Sequence, residues 1–355
     1  MSVSPASADM VGGPLLQVND LKTHFATDRG LVRAVDGVSF SLAEGKTLGV
    51  VGESGSGKSV LSRSIMNLLQ KRGVNREGSV IFDGTETTKL GAKDSRKLYG
   101  TGMAMIFQDP MTSLNPVVRI GRQITESLQL HFDMNKEFAL GTAEELLRSV
   151  GIPEPKQRLR EYPFQLSGGM RQRVVIAIAL ACGPKLLFAD EPTTALDVTV
   201  QKQILNLLAR QQAERKMAMI LVTHDLGVVA GRADEIMVMY AGQAVEKAPT
   251  DKLFSAMRHP YTAALLNSIP KTSDPSHTRL EAIPGRPPQM INPPAGCRFA
   301  SRCGYVTEQC RTDMPPLAPV DGDPSHLFRC WHPLSISSRP SSTSSKPALS
   351  AVVGN

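Results

Sequence analysis

The chain has 355 residues, 41% hydrophobic and 21% charged, with a net charge of +7. That composition is ordinary for a globular protein and allows one large core or two modest ones. It excludes a membrane-spanning protein of helical type: the longest apolar run, Val174–Cys182, has nine residues, and a spanning helix needs about 20.

Residues 1–14 are small, polar and Gly/Pro-bearing and are expected to form a flexible arm. MSVSPASADM has no basic stretch followed by an apolar one, so no secretory signal is expected and the chain should stay in the cytoplasm. In that compartment clustered cysteines lean toward metal rather than disulfides. From Leu15 to Val51 the pattern is strand-like, broken by turns at residues 28–30 and 44–46. TLGVV (47–51), MAMIF (103–107), KLLFA (185–189) and MAMILVT (217–223) are continuous apolar runs, as strands buried on both faces require. Helical spacing recurs at Ile120, Ile124 and Leu128, at Ala143, Leu146, Leu147 and Val150, and at Val200, Ile204, Leu207 and Leu208. Strands alternating with helices predict an α/β fold with a largely parallel sheet. Between MAMIF and KLLFA no strand pattern occurs, which predicts an inserted helical subdomain over about residues 109–180. Residues 270–296 are Pro-rich and read as an extended arm, and the Ser-rich stretch 335–355 as a disordered tail.

The positive balance fits an anionic partner, whether nucleotide, nucleic acid or lipid, or else a solvated basic face and basic tail; the lack of any Lys/Arg run of five or more favours the second. GESGSGKS is more specific. Gly52, Glu53, Ser54, Gly55, Ser56, Gly57, Lys58 and Ser59 fit the P-loop pattern, with an apolar strand before and a helical pattern after. The glycines let backbone N–H groups curl around phosphate oxygens, Lys58 reaches the β/γ-phosphates and Ser59 ligates Mg²⁺. KLLFADE places Asp190 at the end of a buried strand, where a Mg²⁺ ligand belongs, and Glu191 where a general base would polarise water. Taken alone, the same pair reads equally as an acidic cap opening a helix at Pro192. LSGGMRQR offers a second anion-binding helix start, with Ser167 as cap and Gly168 and Gly169 leaving N–H groups bare. Two such cradles suggest that each subunit supplies half of a site. His224 follows the run MILVT at the carboxyl edge of the sheet.

The order GESGSGKS, Gln108 in IFQDP, LSGGM, LLFADE, TALD and THD resembles the nucleotide-binding domain of ABC transporters over about residues 15–250. The resemblance implies that Lys58 and Ser59 bind ATP and that Asp190 and Gln108 hold Mg²⁺. It implies that Glu191 is the catalytic glutamate and His224 the switch histidine. Ser167, Gly168, Gly169 and the D-loop Asp197 would close on ATP held by the opposite subunit. The signature ends in Met170, where the family has Gln more often. Phe25, or an aliphatic contact from the Leu31–Val35 region, is expected against adenine.

RHPYTAALLNSIP (258–270), AIPGRPPQMINPPAGCRFASRC (282–303) and the later cysteines are similar to the peptide/nickel importers, most to the D-type ATP-binding subunit of dipeptide and oligopeptide permeases. That implies a C-terminal extension over residues 251–334. It also implies a heterodimer with a related ATPase subunit, two transmembrane subunits and an extracytoplasmic peptide-binding protein, with the chain peripheral at the cytoplasmic face of the bacterial inner membrane. Nickel, opines or glutathione are alternative cargoes. A soluble ABC ATPase on nucleic acid is disfavoured by the single P-loop and the lack of sustained heptads, so no nucleic-acid partner is expected. A cluster-assembly ATPase is a third alternative. Cys297, Cys303, Cys310 and Cys330 suit Zn²⁺ or an iron–sulfur cluster equally by residue type. Some members of the family carry a [4Fe–4S] cluster on such a segment, which favours iron–sulfur here, with Zn²⁺ as the alternative. Cys182, in an apolar helix, reads as a core residue.

Overall fold

The computed structural model describes residues 13–70, 72–194, 196–269 and 283–335. Most of the expected arm and tail, and residues 270–282 of the Pro-rich stretch, lie outside the described residues. The strands longer than two residues are β1 (Leu16–Thr27), β2 (Gly30–Leu42), β3 (Thr47–Val51), β4 (Val74–Phe82), β5 (Met103–Ile106), β6 (Leu186–Asp190), β7 (Ala218–Thr223), β8 (Glu235–Tyr240), β9 (Gln243–Pro249), β10 (Ala318–Val320) and β11 (Asp323–Phe328). The helices of eight residues or more are α1 (Lys58–Ile65), α2 (Ile120–Phe132), α3 (Lys136–Ser149), α4 (Gly168–Leu180), α5 (Val198–Arg215) and α6 (Pro260–Asn267). They divide into two compact units.

The first unit holds the described residues up to Ser41, Thr47–Gly84 and those from Thr223 onward. Its β2, β1 and β4 form a sheet in that order, with β1 and β4 antiparallel from Leu16↔Phe82 to Phe25↔Val74. A second sheet carries β10, β11, β9, β8 and β3 in order. β3 pairs β8 in parallel, Leu48 opposite Glu235 and Val51 opposite Val238, and all five residues of β3 are buried. The continuous apolar run TLGVV is therefore a strand covered on both faces, as its composition demands.

The C-terminal segment is built into this unit through β11, which pairs with β9 at Glu246↔Phe328. β10 and β11 were not legible as strands, because Pro319 and Pro324 interrupt the apolar pattern. The Asp321–Gly322 turn, with Gly322 at φ 76°, is the hairpin signal that marks them. Beneath this edge lies Glu246, with no exposed surface. It accepts the Arg258 N–H at 2.6 Å, the His259 N–H at 3.0 Å and the His326 Nε2–H at 2.8 Å. Three donors satisfy a carboxylate that could not otherwise stay buried. His259 Nδ1 in turn accepts the Tyr261 N–H at 3.0 Å, which caps α6.

Burial of His259, opposed by the neighbouring Glu246, pushes its pKa from 6.5 down to about 4. The fold therefore holds the neutral imidazole, while the unfolded chain takes up a proton first. The associated stability is present above about pH 6.5 and declines as pH falls toward 4, by about 2 kcal/mol at pH 5. Urea unfolding at pH 7 and pH 5 should show that decline, and His259→Gln should flatten it.

The second unit comprises Leu42–Lys46 and Thr85–Val222. Its β5, β6 and β7 are parallel and buried throughout, with Met103 opposite Leu186 and Asp190 opposite Val222. Between residues 107 and 185 helices alternate with turns and loops, and no strand occurs. α2 buries Ile120, Ile124 and Leu128; α3 buries Ala143, Leu146 and Leu147. α4 is buried along Val174–Ala177, Ala179 and Leu180, so its nine-residue apolar run is a core helix. Cys182, just beyond its end, is buried too. Among the described residues no helix is long and apolar enough to cross a membrane.

Candidate functional site

The first unit carries the Gly-rich cradle between β3 and α1. Two of its glycines are demanded by close backbone approach. A Cβ on Gly52 would lie 2.1 Å from Met239 O, and one on Gly57, at φ 99°, would lie 2.2 Å from Ala34 O. No side chain fits either position. Gly55, at φ 79°, has nothing within 4 Å of such a Cβ. α1 begins at Lys58 with no side-chain cap and no acidic residue in its first turn. Its N–H groups and positive dipole end therefore face an anion unopposed. Lys58 is buried, and its Nζ donates to Gly52 O at 2.7 Å and Glu53 O at 3.0 Å. Ser56 Oγ is buried with no hydrogen-bond partner among the described residues. This donor set, with an orphaned hydroxyl and glycines that leave backbone N–H groups bare, fits a polyphosphate.

Glu53, assigned to the nucleotide from sequence, has other partners. Its carboxylate receives both arms of Arg302, at 2.6 and 3.0 Å, and its N–H donates to Tyr261 Oη at 2.9 Å. Arg298, four residues before Arg302, donates to Ala241 O and to the Asp36 carboxylate, which also accepts from His24 Nε2 at 3.0 Å. Burial resists ionisation of Asp36, but the Arg298 charge and the bonds from His24 and Arg298 hold its pKa below the usual value. Phe299, between the two arginines, packs on Tyr240 and Tyr261 with ring centroids 5.2 and 5.3 Å away. Sequence reading missed this set because its partners are up to 262 positions apart and no local pattern joins them. Of the adenine candidates, Val35 is in the core, whereas Phe25 is half-buried and Leu31 is exposed. His224 is exposed and directly follows the end of β7.

The second unit holds the acidic and signature elements. Asp190 ends β6 fully buried. Glu191 follows at φ 46°, a conformation few non-Gly residues adopt. Its N–H donates to Val222 O at 2.9 Å, and its Oε2 accepts from Gln108 Nε2 at 3.2 Å and Thr194 Oγ1 at 3.1 Å. The structure thus brings Gln108 and Glu191 together. It also rejects the alternative of a cap pair, since no helix starts at Pro192 and α5 begins at Val198. Asp197 caps α5 by accepting the Val200 N–H at 2.9 Å. Ser167 caps α4, accepting the Met170 N–H at 3.3 Å. Gly169 is needed where α4 meets Val200, whose Cγ1 would lie 3.0 Å from an added Cβ. Buried Gln172 of α4 donates to Pro192 O at 2.7 Å, tying the signature helix to the residues after Glu191.

Cys297, Cys303, Cys310 and Cys330 line one concavity, together with His259 and Trp331. Burial, reinforced by the neighbouring thiols, pushes Cys330 up to about 12 against a backbone hydrogen bond from His332. Among the described residues no group of three His, Cys, Asp or Glu is arranged to hold a metal ion. A tetrahedral Zn²⁺ would hold its sulfurs about 3.8 Å apart, as follows from Zn–S bonds of about 2.3 Å. The four thiols line that concavity in common.

A P-loop on a parallel strand, an Asp-Glu strand end and a capped Ser-Gly-Gly helix start define an ATP-binding cassette ATPase. The ABC transporter family description matches residues 35–194, and that of the oligopeptide/dipeptide transporter C-terminal region matches residues 245–310. The chain is 49% identical over 322 residues to the oligopeptide transport ATP-binding protein OppD of Bacillus subtilis, covering 90% of this chain and 89% of OppD. It is 48% identical over 327 residues to the dipeptide transport ATP-binding protein DppD of Escherichia coli, covering 92% of this chain and 99% of DppD. Among solved structures it is similar to the ATP-binding cassette MJ0796 in a dimeric, post-hydrolysis state bound to ADP and Pi. The TM-score there is 0.60 at 27% identity, over 66% of this chain and 98% of that one. The chain belongs to the ABC transporter family, among its oligopeptide/dipeptide-type ATP-binding subunits, and is an ATP-hydrolysing transport subunit.

Proposed function

We propose that the chain energises import of dipeptides or oligopeptides through a binding-protein-dependent transporter at the cytoplasmic face of the inner membrane. The observation that carries this reading is the union of two matches in one chain. An ATPase cassette is followed by the oligopeptide/dipeptide C-terminal region, and the extension grips the phosphate cradle through Arg302 and Tyr261. ATP with Mg²⁺ supplies the bond that is broken. Apart from Glu53, which is held by Arg302 and Tyr261, Gly52–Ser59 and the start of α1 bind its phosphates, with Lys58 on the β/γ oxygens. Ser59, Gln108 and Asp190 hold Mg²⁺. Glu191 orients and deprotonates the attacking water, and His224 steadies the γ-phosphate. Ser167, Gly168, Gly169 and Asp197 serve ATP on a related partner ATPase subunit, which is why one chain has two anion cradles. Two transmembrane subunits and an extracytoplasmic peptide-binding protein complete the transporter. Co-purification of this chain with two transmembrane subunits, and ATP hydrolysis stimulated by peptide-loaded binding protein, tests the reading. Recovery of RNA instead of transmembrane subunits overturns it.

The four cysteines would hold a [4Fe–4S] cluster, or Zn²⁺ as the alternative, giving a staple to a segment poor in apolar residues. Their shared concavity supports this. Anaerobically purified protein should contain about four irons with matching sulfide, and Cys303→Ser should lower that content. Metal-free protein with four reactive thiols would sink the proposal for this subunit alone.

A further inference from the structure

The Arg302 side chain is 3% exposed and every one of its five N–H donors is engaged. Nε donates to Pro284 O at 2.8 Å. One terminal nitrogen donates to Glu53 Oε2 at 2.6 Å and Tyr240 Oη at 3.2 Å; the other to Glu53 Oε1 at 3.0 Å and Ile283 O at 3.2 Å. Glu53 is the only acidic residue of GESGSGKS. Its main chain is held too, with the N–H on Tyr261 Oη and the carbonyl accepting from Lys58 Nζ and Ser56 N. A carboxylate at this position sits in a loop whose other features all recruit anions. Unpaired, it would repel a triphosphate across a few ångströms of partly buried space, where screening is weak.

We propose that Arg302, delivered by the C-terminal cysteine segment, is a positioning residue for ATP: its two-pronged pair with Glu53 cancels the one negative side chain of the phosphate cradle and holds the loop open around Lys58. A lysine could not do this, because only the planar guanidinium fork meets both carboxylate oxygens and the two backbone carbonyls at once. The inference rests on the reading that ATP phosphates occupy Gly52–Ser59. It makes the extension part of the binding apparatus rather than a passive appendage.

The competing role is a plain staple between the extension and the loop, and charge repair separates the two. In the full chain, Arg302→Met should weaken MgATP binding about ten-fold, equivalent to about 1.4 kcal/mol. Adding Glu53→Gln to that variant should restore most of the affinity, because the uncompensated carboxylate is gone. A staple broken on both sides would not recover. Arg302→Lys should fall between native and Arg302→Met. Should Arg302→Met fail to fold, Glu53→Gln alone decides: it should bind MgATP at least as tightly as the native chain, and weaker binding overturns the proposal. Native-like affinity in a folded Arg302→Met, or a double variant no better than the single, overturns it as well. Lys58→Ala is the control for the underlying reading. If that variant binds MgATP like the native chain, the cradle assignment fails, independently of Arg302.

Discussion

Replacing Glu191 by Gln should lower ATP turnover by about 10²–10⁴-fold, the range for losing a positioned general base, while ATP binding persists. The fold gives this substitution little to disturb. Glu191 is held by its own N–H on Val222 O, and Gln108 and Thr194 donate to one carboxylate oxygen. A Gln side chain keeps an acceptor oxygen for those donors and loses only the charge and the basicity. Single-turnover hydrolysis with the proposed partner subunit present, read beside nucleotide retention, checks it. Loss of binding together with turnover would mean that Glu191 supports the site's structure instead of its chemistry. Hydrolysis near the native rate would remove it from the reaction altogether.

The second large effect is expected at Gly57. An Ala there must place its Cβ 2.2 Å from Ala34 O and 3.5 Å from Gly242 Cα, at φ 99°. Both neighbours are backbone, so neither can swing aside, and the loop or β2 must move. ATP binding should weaken by about ten- to a hundred-fold, from strain of about 1–3 kcal/mol. Gly55→Ala is the matched control. Its φ is also positive, at 79°, but the added methyl group meets nothing within 4 Å. It should carry only the left-handed penalty of about 1 kcal/mol. Equilibrium dialysis of ATP with both full-length variants, alongside thermal unfolding, tells the two apart. Equal losses would show that close approach to Ala34 does not shape the cradle.

The elements that carry chemistry were legible because their signals are local. TLGVV leads into GESGSGKS, and KLLFADE ends on its acids, so strand, turn and reactive side chain are adjacent in sequence. The same holds for Ser167 before α4 and Asp197 before α5, where a cap must sit next to the N–H groups it satisfies. Helical faces such as Ile120, Ile124 and Leu128 were legible for the same reason, since a repeat of 3.6 residues is a property of neighbours. Val200 shares the spacing of Ile204, Leu207 and Leu208 but is not buried, because the first turn of α5 lies beside Gly169 instead of the core.

By itself, then, the amino-acid order determined the α/β class, the position of each phosphate and acid motif, and the family. Each depends on contacts within a few residues. Only the tertiary structure decided what the C-terminal segment does. Proline-rich and cysteine-bearing, it has no periodicity from which packing could be read. Yet its arginines reach Glu53 and Asp36 across 249 and 262 positions, and its last strand joins β9. A buried guanidinium must find a carboxylate and carbonyls wherever the fold brings them, and that meeting is written in three dimensions rather than along the chain.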